Sequence, residues 1–159
     1  METAIANGRS RTRGLTLSQY IRRRNGVPAG ARGSLRNMVY RSLGAPTFAI
    51  FWRHWNPVFG YALARYVFAP LNRAVPPAIA LMATFVVCGA LHDLVTMAVR
   101  GAPAFLFTRW FFFLGVGVLL GRASGLDLSE KPWPVRAASN LIYVLSCLAI
   151  ALALGHVAA

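Results

Sequence analysis

Apolar residues in this chain are gathered into long blocks, and polar residues are mostly confined to the segments between them. Three of these blocks, residues 77–99, 104–121 and 136–157, are apolar almost throughout. As a helix, each block is long enough to cross a hydrocarbon core of about 30 Å. The pattern therefore predicts an all-α integral membrane protein with about three transmembrane helices.

Residues 45–71, ahead of the first block, follow a different pattern. They are rich in aromatic residues, but Arg53, His54 and Asn56 interrupt the apolar run and Pro57 breaks it. Neither half is long enough to span a bilayer. We interpret this segment as short interfacial helices or as a re-entrant element, which is tolerated at membrane depth only where protein covers its backbone.

Two shorter stretches nearer the N-terminus are predicted to be amphipathic helices that lie on the membrane surface. They cover residues 15–24 and 34–43, and a glycine- and proline-containing linker separates them. Ser34 is expected to cap the second helix and Gly44 to end it. Apolar residues on one face and arginines on the other are typical of a helix that rests on the bilayer.

Charge is distributed as unevenly as hydrophobicity. The chain is 57% hydrophobic and 13% charged, whereas soluble domains are about 25% charged. Its net charge is +13, and nine arginines lie between Arg9 and Arg41. We therefore divide the chain into a basic cytoplasmic arm with surface helices, residues 1–44, and a membrane domain, residues 45–159. Such an arm matches anionic lipid headgroups, and its position before a span disfavours nucleic acid as a partner.

The basic residues also predict the topology. The arm and the polar loop at residues 122–136 are expected on the cytoplasmic side, with Arg100 and Arg109 on the opposite side. Three crossings then place the C-terminus outside. We expect a bacterial inner membrane with the N-terminus in the cytoplasm.

Small residues inside the predicted spans indicate where helices pack. Cys88 and Cys147 have neither CxxC nor metal-ligand spacing, so we interpret them as small buried apolar residues and predict no metal site and no bound cofactor. Gly115, Gly117 and Gly121 are expected to allow close contacts between helices.

His92 and Asp93 are an ionisable pair inside an apolar span, and such a pair marks a functional site by default. Thr84, Cys88, His92 and Thr96 recur at every fourth residue, which places them on one helix face as a mildly polar stripe that can line a substrate path. Asp93 points about 100° away from His92 and is expected to face an arginine, water or a partner. We therefore expect a homo-oligomer or an additional membrane subunit.

The segment FWRHWNPVFGYALARYVFAPL, followed by ATFVVCGALHDL, resembles the signature region of the membrane-bound O-acyltransferases. The resemblance covers residues 51–94. Asn56 matches the first catalytic-motif position of that family, and His92 matches its intramembrane histidine. The family usually has glycine where this chain has Asp93, and its members have many more spans, so the chain looks like the C-terminal part of such an enzyme.

The resemblance implies transfer of an acyl group from a thioester, usually acyl-CoA as co-substrate, to a hydroxyl or an amine. It implies that His92 acts as general base on the acceptor and that Asn56 positions a reactant or polarises the acyl carbonyl. A histidine among apolar neighbours is expected to be neutral and able to take a proton, which agrees with that role. Arg53, His54 and Arg65 are expected to contact donor phosphates or lipid headgroups.

Other readings of these residues stay open. His92 can be a structural histidine bonded to a neighbouring helix, and Asn56 can be the N-cap of a helix that begins at Pro57. The tryptophans are expected to be interface anchors: Trp52, Trp55, Trp110 and Trp133. The alternative function is a non-catalytic subunit of a larger membrane complex that retains an acyltransferase-like core.

Overall fold

The computed structural model of the protein describes residues 14–101 and 105–157. Within these ranges the chain forms helices and no β-strands. The α-helices are α1 Leu17–Asn25, α2 Ser34–Leu43, α3 Phe48–His54, α4 Pro57–Leu63, α5 Ala69–Ala74, α6 Pro77–Arg100, α7 Leu106–Ala123 and α8 Trp133–Val157, and a π-helical turn, Ala64–Phe68, joins α4 to α5.

Three of these helices, α6, α7 and α8, are long and apolar enough to cross a membrane, which confirms the predicted all-α fold with about three spans. The observed bounds differ from the predicted ones by a few residues. The largest shift is at α8, which begins at Trp133 rather than at residue 136. Pro134 fits the first helical turn because it has no N–H to leave unpaired, so the helix extends past Arg136 into the preceding loop.

Helices α6 and α7 form a closely packed pair. A Cβ atom added to Gly89 would lie 2.5 Å from the carbonyl oxygen of Phe107, so the two backbones touch at this glycine. Near the same level, the Asp93 carboxylate accepts hydrogen bonds from the backbone N–H groups of Phe107, at 2.9 Å, and Thr108, at 2.7 Å. The expectation that Asp93 faces an arginine, water or a partner is therefore wrong, because the free N–H groups at the start of α7 hold its carboxylate.

The hydrophobic core lies between the three long helices, and Trp52 packs against it from α3. The buried core residues are Phe85, Cys88, Phe111, Leu114, Val118, Tyr143 and Cys147. The indole N–H of Trp52 donates to the Tyr143 hydroxyl at 3.1 Å, and its ring meets the Phe85 ring edge-on at 5.3 Å. Trp52 thus uses both its apolar ring and its N–H inside the chain, and its role as an interface anchor stays a prediction.

The predicted glycine contacts are confirmed, each against a different partner. An added Cβ would lie 2.9 Å from the Met82 sulfur at Gly115, 2.4 Å from the Tyr143 ring at Gly117 and 3.2 Å from the Phe48 ring at Gly121. Gly115 allows α6 to approach one side of α7, and Gly117 and Gly121, which are four residues apart, allow α8 and α3 to approach the other. Helix α7 is therefore the central element of the packed domain.

The segment before the spans contains short helices, as predicted. Helices α3 and α4 are separated at Pro57, and the helical run that starts there continues through the π-helical turn to Ala74, beyond the predicted end at residue 71. Asn140 of α8 ties this region to the long helices, since its amide donates to the carbonyl oxygens of Leu43 and Ala45, each at 2.8 Å.

The two N-terminal helices pack on this segment. The predicted cap at Ser34 is wrong: Ser34 is already helical, and Gly33 precedes it in the left-handed region with φ +84°. The amide of Asn25 donates instead to the carbonyl and hydroxyl oxygens of Ser34, at 3.0 and 2.7 Å, which joins α1 to α2. The first 13 residues of the predicted basic arm lie outside the described residues.

Candidate functional site

His92 lies on α6 with one ring nitrogen held by the helix itself. Its Nδ1 atom is 2.7 Å from the carbonyl oxygen of Cys88, one turn earlier. A carbonyl oxygen only accepts hydrogen bonds, so Nδ1 is the donor in this contact. In a neutral ring with this contact, the lone pair lies on Nε2.

Three phenylalanines surround the His92 ring. Phe111 stacks on it with ring centroids 5.2 Å apart, Phe107 lies tilted at 5.5 Å, and Phe59 meets it edge-on at 5.7 Å. Phe107 and Phe111 belong to α7, whose first turn is held by Asp93. Asp93 therefore acts on the His92 environment indirectly, by fixing the helix that carries two of its aromatic neighbours.

The Nε2 atom of His92 has no hydrogen-bond partner among the described residues, and it is not one of the buried polar atoms that lack a partner. The residue as a whole is half-buried. Nε2 is therefore the ring nitrogen that the fold leaves for a reactant.

Asn56 adopts a left-handed backbone, with φ 39° and ψ 72°, and is the only non-glycine residue with positive φ in the part of the chain that the structure describes. Its side-chain oxygen accepts from the Phe59 N–H at 3.2 Å, and Pro57 occupies the first turn of α4. The reading of Asn56 as an N-cap is confirmed. The cap uses only Oδ1 and leaves the two N–H bonds of Nδ2.

Asn56 and His92 are linked through Phe59 but do not line one cavity. Asn56 lies on a groove of about 320 Å³ between α1, α2 and the start of α4, and His92 does not line that groove. Phe59 provides the link, since Asn56 caps the helix that presents Phe59 to the His92 ring. Asn56 therefore acts on the aromatic cluster around His92 only through the helix that it caps.

The threonines of the predicted stripe donate their hydroxyl hydrogens within α6. Thr84 donates to the Ala80 carbonyl at 2.7 Å and Thr96 to the His92 carbonyl at 2.9 Å. Cys88 is buried in the core. This face of α6 is therefore less polar than its sequence suggests, and its role as a substrate path stays a prediction.

Arg53, His54 and Arg65, which were predicted to share one role, fall in two places. Arg65 is exposed and donates to the Tyr61 hydroxyl at 2.8 Å. His54 lies within reach of Arg24, with its Nδ1 atom 3.0 Å from the Arg24 carbonyl oxygen. Partial burial and then the nearby Arg24 and Arg122 lower the pKa of Arg53. Their assignment to donor phosphates or headgroups stays a prediction.

The aromatic neighbours of His92 and the capping role of Asp93 were missed at the sequence level. Phe107 and Phe111 are four residues apart on α7, which is a spacing that places both on one helix face. That spacing was the available signal. Metal chemistry has no candidate ligand set in the described ranges, where no group of three histidines, cysteines or carboxylates is close enough to hold an ion.

Comparison with known proteins finds no matching family model, no matching curated protein and no matching solved structure. The resemblance to the membrane-bound O-acyltransferases therefore rests on the residues of the 51–94 segment alone.

Proposed function

We propose that this chain is a membrane-embedded acyltransferase that moves an acyl group from acyl-CoA, or a similar thioester, to a hydroxyl or amine acceptor. The observation that carries the proposal is the state of His92. Its Nδ1 lies on the Cys88 carbonyl, its Nε2 has no partner in the described part of the chain, and three phenylalanine rings border the imidazole. A neutral imidazole with one fixed nitrogen and one free nitrogen is the arrangement that general-base catalysis requires.

In the proposed reaction, Nε2 of His92 takes the proton of the acceptor hydroxyl while the acceptor oxygen bonds to the thioester carbon. The carbonyl oxygen becomes an oxyanion. Collapse of this intermediate breaks the carbon–sulfur bond, and the leaving thiolate takes the proton from Nε2. The products are an ester and a free thiol, and His92 returns to its neutral form.

Asn56 is proposed to stabilise the oxyanion. Its Nδ2 group is left free by the cap, and the cap together with the left-handed backbone holds the amide in one orientation. Such a donor acts without placing a charge in the membrane. The face with Thr84, Cys88 and Thr96 suits an acyl chain more than a polar acceptor, since the threonine hydroxyls donate within the helix.

The finer localisation belongs to the same proposal. We place the chain in a bacterial inner membrane with its N-terminal arm in the cytoplasm, because the described arginines of residues 22–41 precede the first candidate span. An oligomer or a further membrane subunit would supply the additional helices with which related enzymes enclose their substrates. Asp93 gives no support to such a partner, because its carboxylate is satisfied inside the chain.

The proposal is tested with the full chain in membranes or nanodiscs, given labelled acyl-CoA and a membrane extract as the source of acceptor. We expect transfer by the wild type and a loss of about 10²–10⁴ in rate for His92→Ala. Leu94→Ala, at an exposed position on the same helix, is the control and is expected to keep most of the activity. Unchanged transfer by a correctly inserted His92→Ala variant would overturn the assignment.

The second candidate function is a non-catalytic subunit of a larger membrane complex. The observation that favours it is that His92 and Asn56 do not line one cavity. This reading predicts no transfer by the wild type, and it predicts that His92→Ala reduces co-purification with partner chains. The same preparations, assayed for transfer and for bound partners, separate the two functions.

A further inference from the structure

A second groove, of about 270 Å³, lies where α2, α3 and the start of α8 meet, and it is distinct from the surroundings of His92. Its lining residues are Tyr40, Arg41, Gly44, Ala45, Pro46, Ile50, His54, Trp133 and Arg136. Three of them are basic, and each comes from a different helix: Arg41 from α2, His54 from α3 and Arg136 from α8. The fold thus brings together basic side chains that are up to 95 residues apart in the sequence.

The backbone holds two of these basic side chains in place. The carbonyl oxygen of Arg24 contacts both. It accepts a hydrogen bond from the Arg41 guanidinium at 3.2 Å, and the His54 Nδ1 atom lies 3.0 Å from it. Because the carbonyl oxygen is an acceptor, His54 donates through Nδ1 and keeps Nε2 free. No partner is found among the described residues for the other N–H groups of Arg41.

Arg136 has an unmet hydrogen-bonding group at this site. Its Nε atom is buried and has no partner among the described residues. A buried guanidinium N–H without an acceptor is unfavourable, so Arg136 is an incompletely satisfied cation beside the groove that it lines. Arg41 and Arg136 can each present a planar pair of donors, which is the geometry that matches two phosphate oxygens.

The groove carries positive charge without a lining carboxylate. Arg24 and Arg53 add to the positive potential around His54, and neither Asp127 nor Glu130 lines the groove. Burial lowers the pKa of His54; the bond to the Arg24 carbonyl opposes this, and the charges of Arg24, Arg41 and Arg53 lower the pKa further. Because the arginines around the groove repel one another, an anion bound between them would lower that repulsion.

The aromatic wall of the groove indicates which anion fits. Tyr40 and Trp133 stack with ring centroids 5.0 Å apart, and the Trp133 N–H is already used on the Tyr40 carbonyl, at 3.1 Å. The wall therefore offers apolar ring surface and no donor from Trp133. Trp133 is also the first residue of the third candidate span, so the groove lies at the level where a bilayer would change from hydrocarbon to headgroups.

We propose that this groove binds a phosphate group, and that the ligand is the headgroup phosphate of an anionic lipid, with Arg41, His54 and Arg136 on the phosphate and the Tyr40–Trp133 stack against the glycerol region. This binding does not depend on acyl transfer at His92. A soluble phosphate could bind the same basic side chains, but it has no glycerol region to contact the Tyr40–Trp133 stack.

The test titrates the purified full chain in detergent with phosphatidylglycerol or phosphatidylcholine and counts bound lipids by native mass spectrometry. We expect the wild type to prefer phosphatidylglycerol. Arg136→Gln is expected to weaken that binding about fivefold, as is Arg41→Gln. The matched control is Arg36→Gln, which removes the same charge from an exposed position on α2 outside the groove and is expected to have little effect.

Two further measurements keep the test decisive if a glutamine variant fails to fold. Arg136→Lys retains the charge and is expected to keep most of the binding. Below pH 6.5, the ordinary pKa of histidine, protonation of His54 is expected to strengthen wild-type binding by up to about fivefold. His54→Asn, which keeps a donor for the Arg24 carbonyl but does not titrate, should lose this pH dependence.

Losses in the Arg41 and Arg136 variants no larger than that of Arg36→Gln would overturn the phosphate site. Competition with inorganic pyrophosphate distinguishes the source of the phosphate. If pyrophosphate binds with the same variant pattern and the chain does not prefer phosphatidylglycerol, the headgroup assignment is wrong and the ligand is a soluble phosphate.

Discussion

Asp93 caps the first turn of α7, a role that the residue immediately before α7 does not fill. Phe105, the residue that precedes the helix, has no side chain that can accept a hydrogen bond, so the first N–H groups are capped by a carboxylate from α6. The sequence identified the His92–Asp93 pair as costly and therefore important. It did not indicate the partner, because backbone N–H groups carry no residue-type signal.

Removing this carboxylate should destabilise the protein. Asp93→Ala leaves two buried N–H groups without an acceptor, at about 1–3 kcal/mol each. Asp93→Asn retains one acceptor oxygen and should lie between the alanine variant and the wild type. Thermal unfolding in detergent measures the difference. The control is Glu130→Ala in the same exposed loop region before α8, expected to change stability by about 0.5 kcal/mol or less, and equal effects at the two positions would contradict the capping role.

Asn56 combines a cap with a strained backbone, and two substitutions separate these features from its proposed chemistry. Asn56→Gly accepts the positive φ and loses only the cap, which costs a few tenths of a kcal/mol. Asn56→Ala loses the cap and adds backbone strain of about 1–2 kcal/mol. Unfolding measurements should therefore rank glycine above alanine.

If the Asn56 amide stabilises the oxyanion, the activity of the glycine and alanine variants should not follow their stability. Both variants then lose about 10²–10³ in turnover, regardless of their stability. If the glycine variant retains nearly full transfer, Asn56 is a cap and no more. Rates measured well below both unfolding temperatures make this distinction.

At the scale of elements, the pairing of α6 with α7 sets the position of the aromatic cluster. The three spans were predictable because length and apolar composition identify a membrane helix almost independently of context. The contact at Gly89 was not predicted, although the contacts at Gly115, Gly117 and Gly121 were. Nothing in the residues around Gly89 distinguishes a glycine that touches backbone from one that faces lipid.

Gly89→Ala should therefore be the most disruptive conservative change in the helix pair. The new methyl group would overlap the backbone at Phe107 and Thr108, which cannot move as a flexible side chain can. We expect a loss of about 1–3 kcal/mol or more, together with reduced transfer because Phe107 shifts from His92. The control is Gly60→Ala, whose added Cβ meets its nearest atom at 4.0 Å, and an equally mild effect at Gly89 would show that the helices are not in backbone contact.

At the scale of the whole molecule, the sequence indicated the components better than their arrangement. Short helices before the spans were expected, but their attachment to α8 through Asn140 was not, since that contact joins residues 95 and 97 positions apart. The same applies to the candidate site. His92 and Asn56 were found as residue types in a pattern, whereas the phenylalanines around His92 come from two other helices and required the fold.

The predicted topology is tested by cysteine labelling in intact cells. Ser124→Cys, in the loop before α8, is expected to react with a membrane-impermeant reagent only after permeabilisation, and Arg100→Cys, at the opposite end of α6, before it. Both positions are exposed, and the native Cys88 and Cys147 are buried and should give little background. Labelling of Ser124→Cys from outside would reverse the assigned orientation.

The Asn140 contact also has a consequence for the order in which the protein matures on the ribosome. Helices α6 and α7 are consecutive and can associate as soon as both have left the translocon. The corner at Leu43 and Ala45 needs an amide that is translated 95 or more residues later. At roughly 5–20 residues per second, those two carbonyls stay hydrated for about 5–20 s before their donor exists. Closure of the N-terminal region onto the spans is therefore a late, post-insertion event that depends on α8.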